Sequence, residues 1–183
     1  MSLDIREADP SDEAAILALV CTAFGEAEGG EIADLVVDLC RDPTAQPALS
    51  LVAVSDKQIV GHILFTKVRL EGPRPDTASS ILCPLSVHPA QQNHGVGGRL
   101  IEAGLARLRA DGTALVFVLG HPGYYPRFGF TPAGARGFEA PYPILPANAE
   151  AWMVQALEPT TLAEASGRVV CAHALDDPRH WVE

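Results

Sequence analysis

The sequence predicts a mixed α/β fold, in which one sheet of strands is covered by helices on both faces. Stretches typical of strands, with alternating or continuous apolar residues, occur from one end of the 183-residue chain to the other. Other stretches carry apolar residues at helical spacing and lie between the strands. We find no internal repeat and no long linker, so we expect a single domain spanning residues 1–183.

The first half predicts a strand, two helices and two more strands. Leu3–Ala8 alternates apolar and polar residues, and an Asp-Pro-Ser-Asp sequence then marks the start of a helix. A break at Gly29 and Gly30 predicts that a second helix begins there. The next two strands are predicted at Leu49–Val54 and Ile59–Leu70, joined by a short polar turn.

The second half predicts four strands and one central helix. Ile81–Pro89 is predicted to be a buried strand in which Pro84 interrupts the hydrogen bonds to a neighbouring strand. A helix follows from Gly95, and Gly112 suits its C-terminal cap. Three further strands are predicted at Ala114–Gly120, Ala151–Leu157 and Gly167–Ala174.

Charge and hydropathy exclude several classes of protein. A net charge of -10 argues against a nucleic acid partner, which is itself polyanionic, and weakly favours a cationic substrate such as an amine. The apolar runs fall short of the ~20 residues that a membrane-spanning helix needs. The acidic N-terminus lacks the features of a secretory signal, so we expect a cytoplasmic protein without a membrane partner.

The cysteines and histidines predict neither disulfides nor a metal site. The four cysteines form no CxxC pair and lie among apolar neighbours, which predicts buried, reduced thiols. The six histidines form no HxxxH or HExxH pattern.

Three glycines stand where the central helix should begin, although glycine weakens a helix by about 0.5–1 kcal/mol relative to alanine. Gly95, Gly97 and Gly98 could leave the unpaired amides of a helix N-terminus open to an anion such as a phosphate. A tight turn with close helix–strand packing is the alternative. No Lys follows as in a P-loop, and the spacing does not match a dinucleotide fingerprint.

At this loop and further downstream the sequence resembles the GNAT superfamily of acetyl-CoA-dependent N-acetyltransferases. Gln92–Gly97, "QNHGVG", matches its Q/R-x-x-G-x-G/A signature, and Tyr125–Phe130, "YPRFGF", matches its Y-x-x-x-G-F element. The similarity covers nearly the whole chain and points to a bacterial branch of predicted acetyltransferases.

The resemblance implies a mostly antiparallel sheet of about seven strands, in which strands 4 and 5 splay apart and hold acetyl-CoA, with no metal. The coenzyme's diphosphate would lie on the loop amides, and its pantetheine arm would pair with the fourth strand. The residues implied to bind it are Leu85, Ser86, Val87, Gln92, Asn93, His94, Gly95, Val96, Gly97, Gly98 and Arg99.

The resemblance also implies the chemistry, in which the acetyl group passes to a primary amine by direct attack, with no acyl-enzyme. Tyr125 would be the general acid that protonates the coenzyme A sulfur, with Tyr124 as its rival. Gly120 and His121 stand where many relatives carry an Asn. The base stays open among Glu26, Glu28, Glu31, His62, His121 and a water chain.

The alternative function is a non-catalytic acyl-CoA sensor or assembly module, against which Tyr125 at the motif spacing argues. A nucleotide-binding protein is disfavoured by the missing Lys. The acceptor amine, on a small molecule or a protein, and the formation of a homodimer stay open.

Overall fold

A computed structural model of the chain describes residues 2–182. The helices are α1 (Glu13–Arg41), α2 (Val96–Ala110) and the short α3 (Thr161–Glu164). The strands are β1 (Asp4–Glu7), β2 (Leu49–Ser55), β3 (Gln58–Glu71), β4 (Ser79–Val87), β5 (Leu115–Leu119), β6 (Thr131–Pro132), β7 (Phe138–Glu139), β8 (Trp152–Ala156) and β9 (Gly167–Val170).

The strands form one sheet in the order β1-β2-β3-β4-β5-β8-β6, and β9 pairs with the far end of β3 and with β7. Pairing is antiparallel except between β4 and β5 and between β7 and β9. The predicted fold class is confirmed, and all seven predicted strands are present. The two others, β6 and β7, have two residues each, which is too short for a sequence period to indicate them.

β4 and β5 pair over only part of their length. Three parallel pairs join them, and the last is Ile81 with Phe117. β4 then runs on to Val87 and β5 to Leu119, while β4 stays paired with β3 up to Val87. The splay between the fourth and fifth strands is therefore present as predicted.

Helices cover both faces of this sheet. On one face, Leu35 and Leu39 of α1 belong to an apolar cluster with Leu64 of β3. On the other, Leu100 and Ile101 of α2 are fully buried against strands β2 to β4. The buried apolar residues of α2, which also include Leu105 and Leu108, recur at helical spacing and form its core face.

The break in the first helical region lies at Gly25, so the prediction of a break at Gly29 and Gly30 is wrong. Gly25 has φ 80° and ψ 179°, far from helical values, whereas Gly29 and Gly30 lie inside the second half of α1. The second half packs so closely that a side chain on Gly29 would meet the main chain of Cys21. Glycine is thus used both for the break, at Gly25, and for a close contact, at Gly29. The sequence alone does not show which glycine has which role.

The four cysteines are unpaired, but the prediction that all are buried is wrong. Cys21 and Cys40 are exposed, Cys83 is half-buried and Cys171 is buried. On α1, Cys21 follows the buried Val20 and Cys40 follows the buried Leu39. Because neighbouring residues on a helix point about 100° apart, both cysteines lie outside the apolar stripe of α1.

In the described part of the chain, no helix combines the length and the apolar character needed to cross a bilayer.

Candidate functional site

Two adjoining cavities lie where β4 and β5 diverge. The gap cavity has a volume of about 570 Å³. It is lined by residues 82–85 of β4, by residues 118–121 at the end of β5 and just beyond it, by residues of α1, and by residues 179, 180 and 182 of the C-terminal segment. The loop cavity, of about 680 Å³, is lined by residues 91–93 and 95–99 at the start of α2. Leu85 and Tyr124 line both cavities, so the two are neighbours along β4.

The start of α2 presents unpaired amides to the loop cavity. The first bond of helical type joins the Arg99 amide to the Gly95 carbonyl at 3.1 Å. The amides of residues 96–98 therefore precede the helical ladder, and no side chain caps the helix. Together with the helix dipole, they form a positive pole suited to an anion.

Each glycine of the loop has its own structural reason. Gly95 adopts the left-handed conformation with φ 82°. A Cβ on Gly97 would lie 2.5 Å from the Tyr124 hydroxyl, and one on Gly98 would lie 3.0 Å from the Phe128 ring. The absent side chains thus make room for Phe128 of the downstream motif and for Tyr124, which directly precedes that motif.

The edge of β4 toward the gap offers main-chain groups at alternate residues. The His88 amide donates a hydrogen bond to the Val60 carbonyl of β3 at 2.9 Å. In this antiparallel pairing His88 and Ser86 therefore direct their main-chain amide and carbonyl groups toward β3. Leu85 and Val87 therefore direct theirs toward the gap. The Val87 carbonyl accepts a hydrogen bond from the Gln92 side chain at 3.3 Å, which ties the strand to the glycine loop.

Most of the predicted coenzyme-binding residues line the loop cavity. Ser86 and His94 do not: Ser86 is 1% exposed inside the sheet, and His94 is exposed. The predicted residues that do line it are Leu85, Val87, Gln92, Asn93, Gly95, Val96, Gly97, Gly98 and Arg99.

The two tyrosines occupy different positions around the gap. Tyr125 is buried and lines the gap cavity but not the loop cavity. Its ring lies edge-on to that of Phe130, with the ring centroids 5.8 Å apart. A side chain on Gly120 would collide with the Tyr125 ring, so the glycine that stands in place of the common Asn admits this tyrosine. Tyr124 sits at the junction, and burial raises the pKa of its phenol although Arg127 opposes the shift.

The five side chains considered as base are only partly brought together. Glu28, Glu31 and His121 line the gap cavity, whereas Glu26 and His62 are not among its lining residues. His62 is 1% exposed, and burial lowers its pKa to about 4.

Cys83 also lines the gap cavity, where a thiolate would be a nucleophile. Burial raises the pKa of the Cys83 thiol to about 11, so the thiol stays protonated near neutral pH. Across residues 2–182, no group of three His, Cys, Asp or Glu side chains is placed to hold a metal ion.

Sequence reasoning missed residues from two segments. Arg127 and Phe128 line the loop cavity, although they lie inside the motif that indicated Tyr125. Arg179 and His180 line the gap cavity from a 3-10 turn at Pro178–Trp181. A capping Asp-Pro pair marks this turn in the sequence, but nothing local shows which cavity it faces.

A family model for the acetyltransferase (GNAT) domain matches residues 4–133. The chain belongs to the GNAT acetyltransferase family. YjhQ of Escherichia coli (strain K12), an uncharacterized N-acetyltransferase, is 46% identical over 167 residues, which cover 90% of this chain and 89% of YjhQ. YhbS of the same strain, also an uncharacterized N-acetyltransferase, is 34% identical over 140 residues, with 76% of this chain and 80% of YhbS covered.

Two solved GNAT structures share the fold over 96% of this chain. The crystal structure of E. coli YhbS in complex with CoA has a TM-score of 0.85 and 30% identity, with 92% of that chain covered. A GNAT acetyltransferase from Brucella melitensis in complex with acetyl-CoA has a TM-score of 0.70 and 33% identity, with 99% covered. The predicted family and the assignment to the N-acetyltransferase enzymes are confirmed.

Proposed function

We propose that this GNAT protein transfers the acetyl group of acetyl-CoA to a primary amine by direct attack. The observation that carries the proposal is that the two cavities adjoin and share Leu85 and Tyr124 as lining residues. A single extended ligand can place a diphosphate at the start of α2 and a thioester in the gap. The GNAT structures with bound CoA and acetyl-CoA support the choice of this ligand.

We assign the coenzyme's diphosphate to the amides of residues 96–98, with Arg99 and Arg127 as neighbouring cations. Both arginines line the loop cavity, and charge-assisted hydrogen bonds to phosphate are among the strongest that side chains make. The pantetheine arm would follow the open edge of β4, where Leu85 and Val87 offer main-chain groups. Ser86 lies between them in that stretch.

We assign Tyr125 as the general acid for the departing thiolate. It lines the gap cavity together with Cys83 and Leu85, where the thioester would lie. A phenol keeps its proton near pH 7 and can donate it to a sulfur that becomes negative as the bond breaks. The protonated Cys83 thiol supports direct attack over a cysteine acyl-enzyme.

The lining of the gap cavity supports an amine acceptor with an apolar body. Apolar side chains from α1 and the two strands, including Phe24, Ile32 and Leu82, surround the space beside the Glu28 carboxylate. A carboxylate attracts an ammonium group, and the apolar walls favour burial of the carbon skeleton. A cytoplasmic location stays a prediction of the sequence, and the formation of a homodimer stays open.

Two measurements test the proposal on the intact protein. Titration calorimetry should show acetyl-CoA binding, while ATP and NAD should not bind at comparable concentration. A thiol-release assay over a panel of primary amines should then show turnover that needs both substrates, with the acetylated amine identified by mass spectrometry. Binding without turnover on any amine would favour a non-catalytic acyl-CoA module, and no binding would overturn the proposal.

A further inference from the structure

The C-terminal segment forms part of the wall of the gap cavity and is firmly anchored. The 3-10 turn Pro178–Trp181 is capped by Asp177, whose carboxylate accepts the Arg179 amide at 3.0 Å. The Trp181 indole is buried and donates to the Leu175 carbonyl at 3.0 Å. His180 lies between these two anchors. It also lies outside residues 4–133, which the family model matches, so family membership assigns it no role.

An ion pair joins this segment to α1. The Arg179 guanidinium lies 3.5 Å from the Glu31 carboxylate and 3.4 Å from that of Asp177. Both carboxylates thus already have a cationic partner. These side chains are largely exposed, so the pair contributes little stability, but it places His180 beside α1 at the cavity.

The His180 imidazole is half-buried and available. Within residues 2–182 it makes no side-chain hydrogen bond or ion pair, while its main-chain amide bonds to the Asp177 carbonyl at 3.0 Å. Burial and then Arg179 lower its pKa, while Asp177 and Glu31 oppose the shift. The other titratable side chains that line the gap cavity with it, apart from Glu31 and Arg179, are Glu28, Cys83, His121, Tyr124 and Tyr125. His180 also lines a third cavity of about 350 Å³, to which Asp34 and Asp38 contribute carboxylates.

We propose that His180 is the proton acceptor for the amine substrate in the gap cavity, an inference that rests on the proposed acetyl transfer. The residue lines the same cavity as Tyr125 but belongs to the C-terminal wall beside α1. An acceptor held between that wall and the splayed strands has the imidazole on one side and the thioester on the other.

The protons and bonds balance in this scheme. The ammonium gives one proton to the imidazole, and the neutral nitrogen then forms a bond to the thioester carbon as the carbon–sulfur bond breaks. The sulfur takes the electron pair and gains a proton from Tyr125, which recovers one as the nitrogen loses its second proton. The imidazolium releases its proton to water, so each turnover yields one amide, one thiol and one proton.

The other cavity-lining candidates are less suited to this role. Nδ1 of the His121 ring already accepts a hydrogen bond of 3.0 Å from the Gly123 amide. Glu31 is paired with Arg179. Glu28 is the carboxylate beside which the proposed function places the ammonium group of the acceptor.

The test compares pH profiles of kcat/KM for the fastest amine of the panel. His180→Gln should lower kcat/KM on the order of 100-fold near pH 7 and remove the acidic limb of the profile, which we expect below pH 6.5 in the unaltered protein because the base must be unprotonated. Acetyl-CoA affinity by calorimetry should not change. His173→Gln, at an exposed site of the same C-terminal region that lines neither cavity, should behave like the unaltered protein.

Several results would overturn the proposal. One is a His180→Gln profile that keeps the acidic limb, and another is the loss of that limb in His121→Gln instead. If His180→Gln and His180→Asn both fail to fold, the His180 titration followed by NMR in the unaltered protein must match the acidic limb, and a mismatch overturns the proposal. Absence of acetyl transfer by the unaltered protein would overturn the proposed function itself. That result differs from a failure of the His180 proposal, in which the unaltered protein is active.

Discussion

The Tyr124 hydroxyl lies 2.5 Å from the point at which a side chain on Gly97 would begin. Gly97 belongs to the glycine-loop motif, Tyr124 directly precedes the Tyr125–Phe130 motif, and the two residues meet where the two cavities adjoin. The glycine loop and the tyrosine segment therefore form one packed unit, in which a change at one should be felt at the other.

Gly97→Ala should weaken acetyl-CoA binding about tenfold, because the new methyl group displaces the Tyr124 hydroxyl from the point where the two cavities adjoin. The double variant Gly97→Ala with Tyr124→Phe should recover part of the affinity, since the clashing oxygen is gone. Calorimetry on the single and double variants measures both effects. Unaltered affinity in Gly97→Ala would contradict this account of the loop.

Tyr125→Phe should lower kcat on the order of 100-fold and leave acetyl-CoA affinity nearly unaltered, because only the phenol hydroxyl, the proton donor, is removed. Tyr124→Phe is the matched control, since it removes the same atom from the neighbouring ring. Steady-state kinetics with the best amine of the panel decide between them. If only Tyr124→Phe lowers kcat, the role of acid passes to Tyr124.

Gly25→Ala should lower the free energy of unfolding by about 1–3 kcal/mol, because φ 80° with ψ 179° is a conformation that only glycine adopts readily. Gly30→Ala in the same helix is the control: its Cβ would meet nothing within 4 Å, and alanine favours a helix by up to about 1 kcal/mol. Urea unfolding of both variants measures the difference. Equal stabilities would contradict the assignment of the break to Gly25.

Stability should fall as the pH drops from 6.5 to 4, in part because of His62. Burial lowers its pKa from 6.5 to about 4, so folding requires the neutral ring, and the unfolded chain takes up the proton first as the pH falls. The loss from this group amounts to about 3 kcal/mol at most.

His62→Gln should flatten that part of the pH dependence, because glutamine can still bond to Ser50 but does not titrate. In the folded protein, the His62 Nε2 atom lies 2.9 Å from the Ser50 hydroxyl oxygen. Urea unfolding at several pH values, with His173→Gln as control, measures the slope. Equal slopes for His62→Gln and the unaltered protein would refute the prediction.

The sequence determined the strands, the central helix and both family motifs, because each leaves a local signature. Period-two and period-3.6 patterns reported which faces are buried, and the breakers near Gly95 and Gly112 marked where α2 begins and ends. The loop residues Gln92–Arg99 could be predicted as a site for the same reason, since they are contiguous. These signals require no knowledge of the remaining chain.

Only the tertiary structure decided which distant segments meet at the gap. Three elements far apart in the sequence, α1, the strand ends and the Pro178–Trp181 turn, form one cavity wall, and no local pattern encodes that meeting. The same limit explains why His62 remained a candidate base and His180 did not appear as one. Burial and neighbours decide what an imidazole can do, and both are properties of the packed chain rather than of the residue.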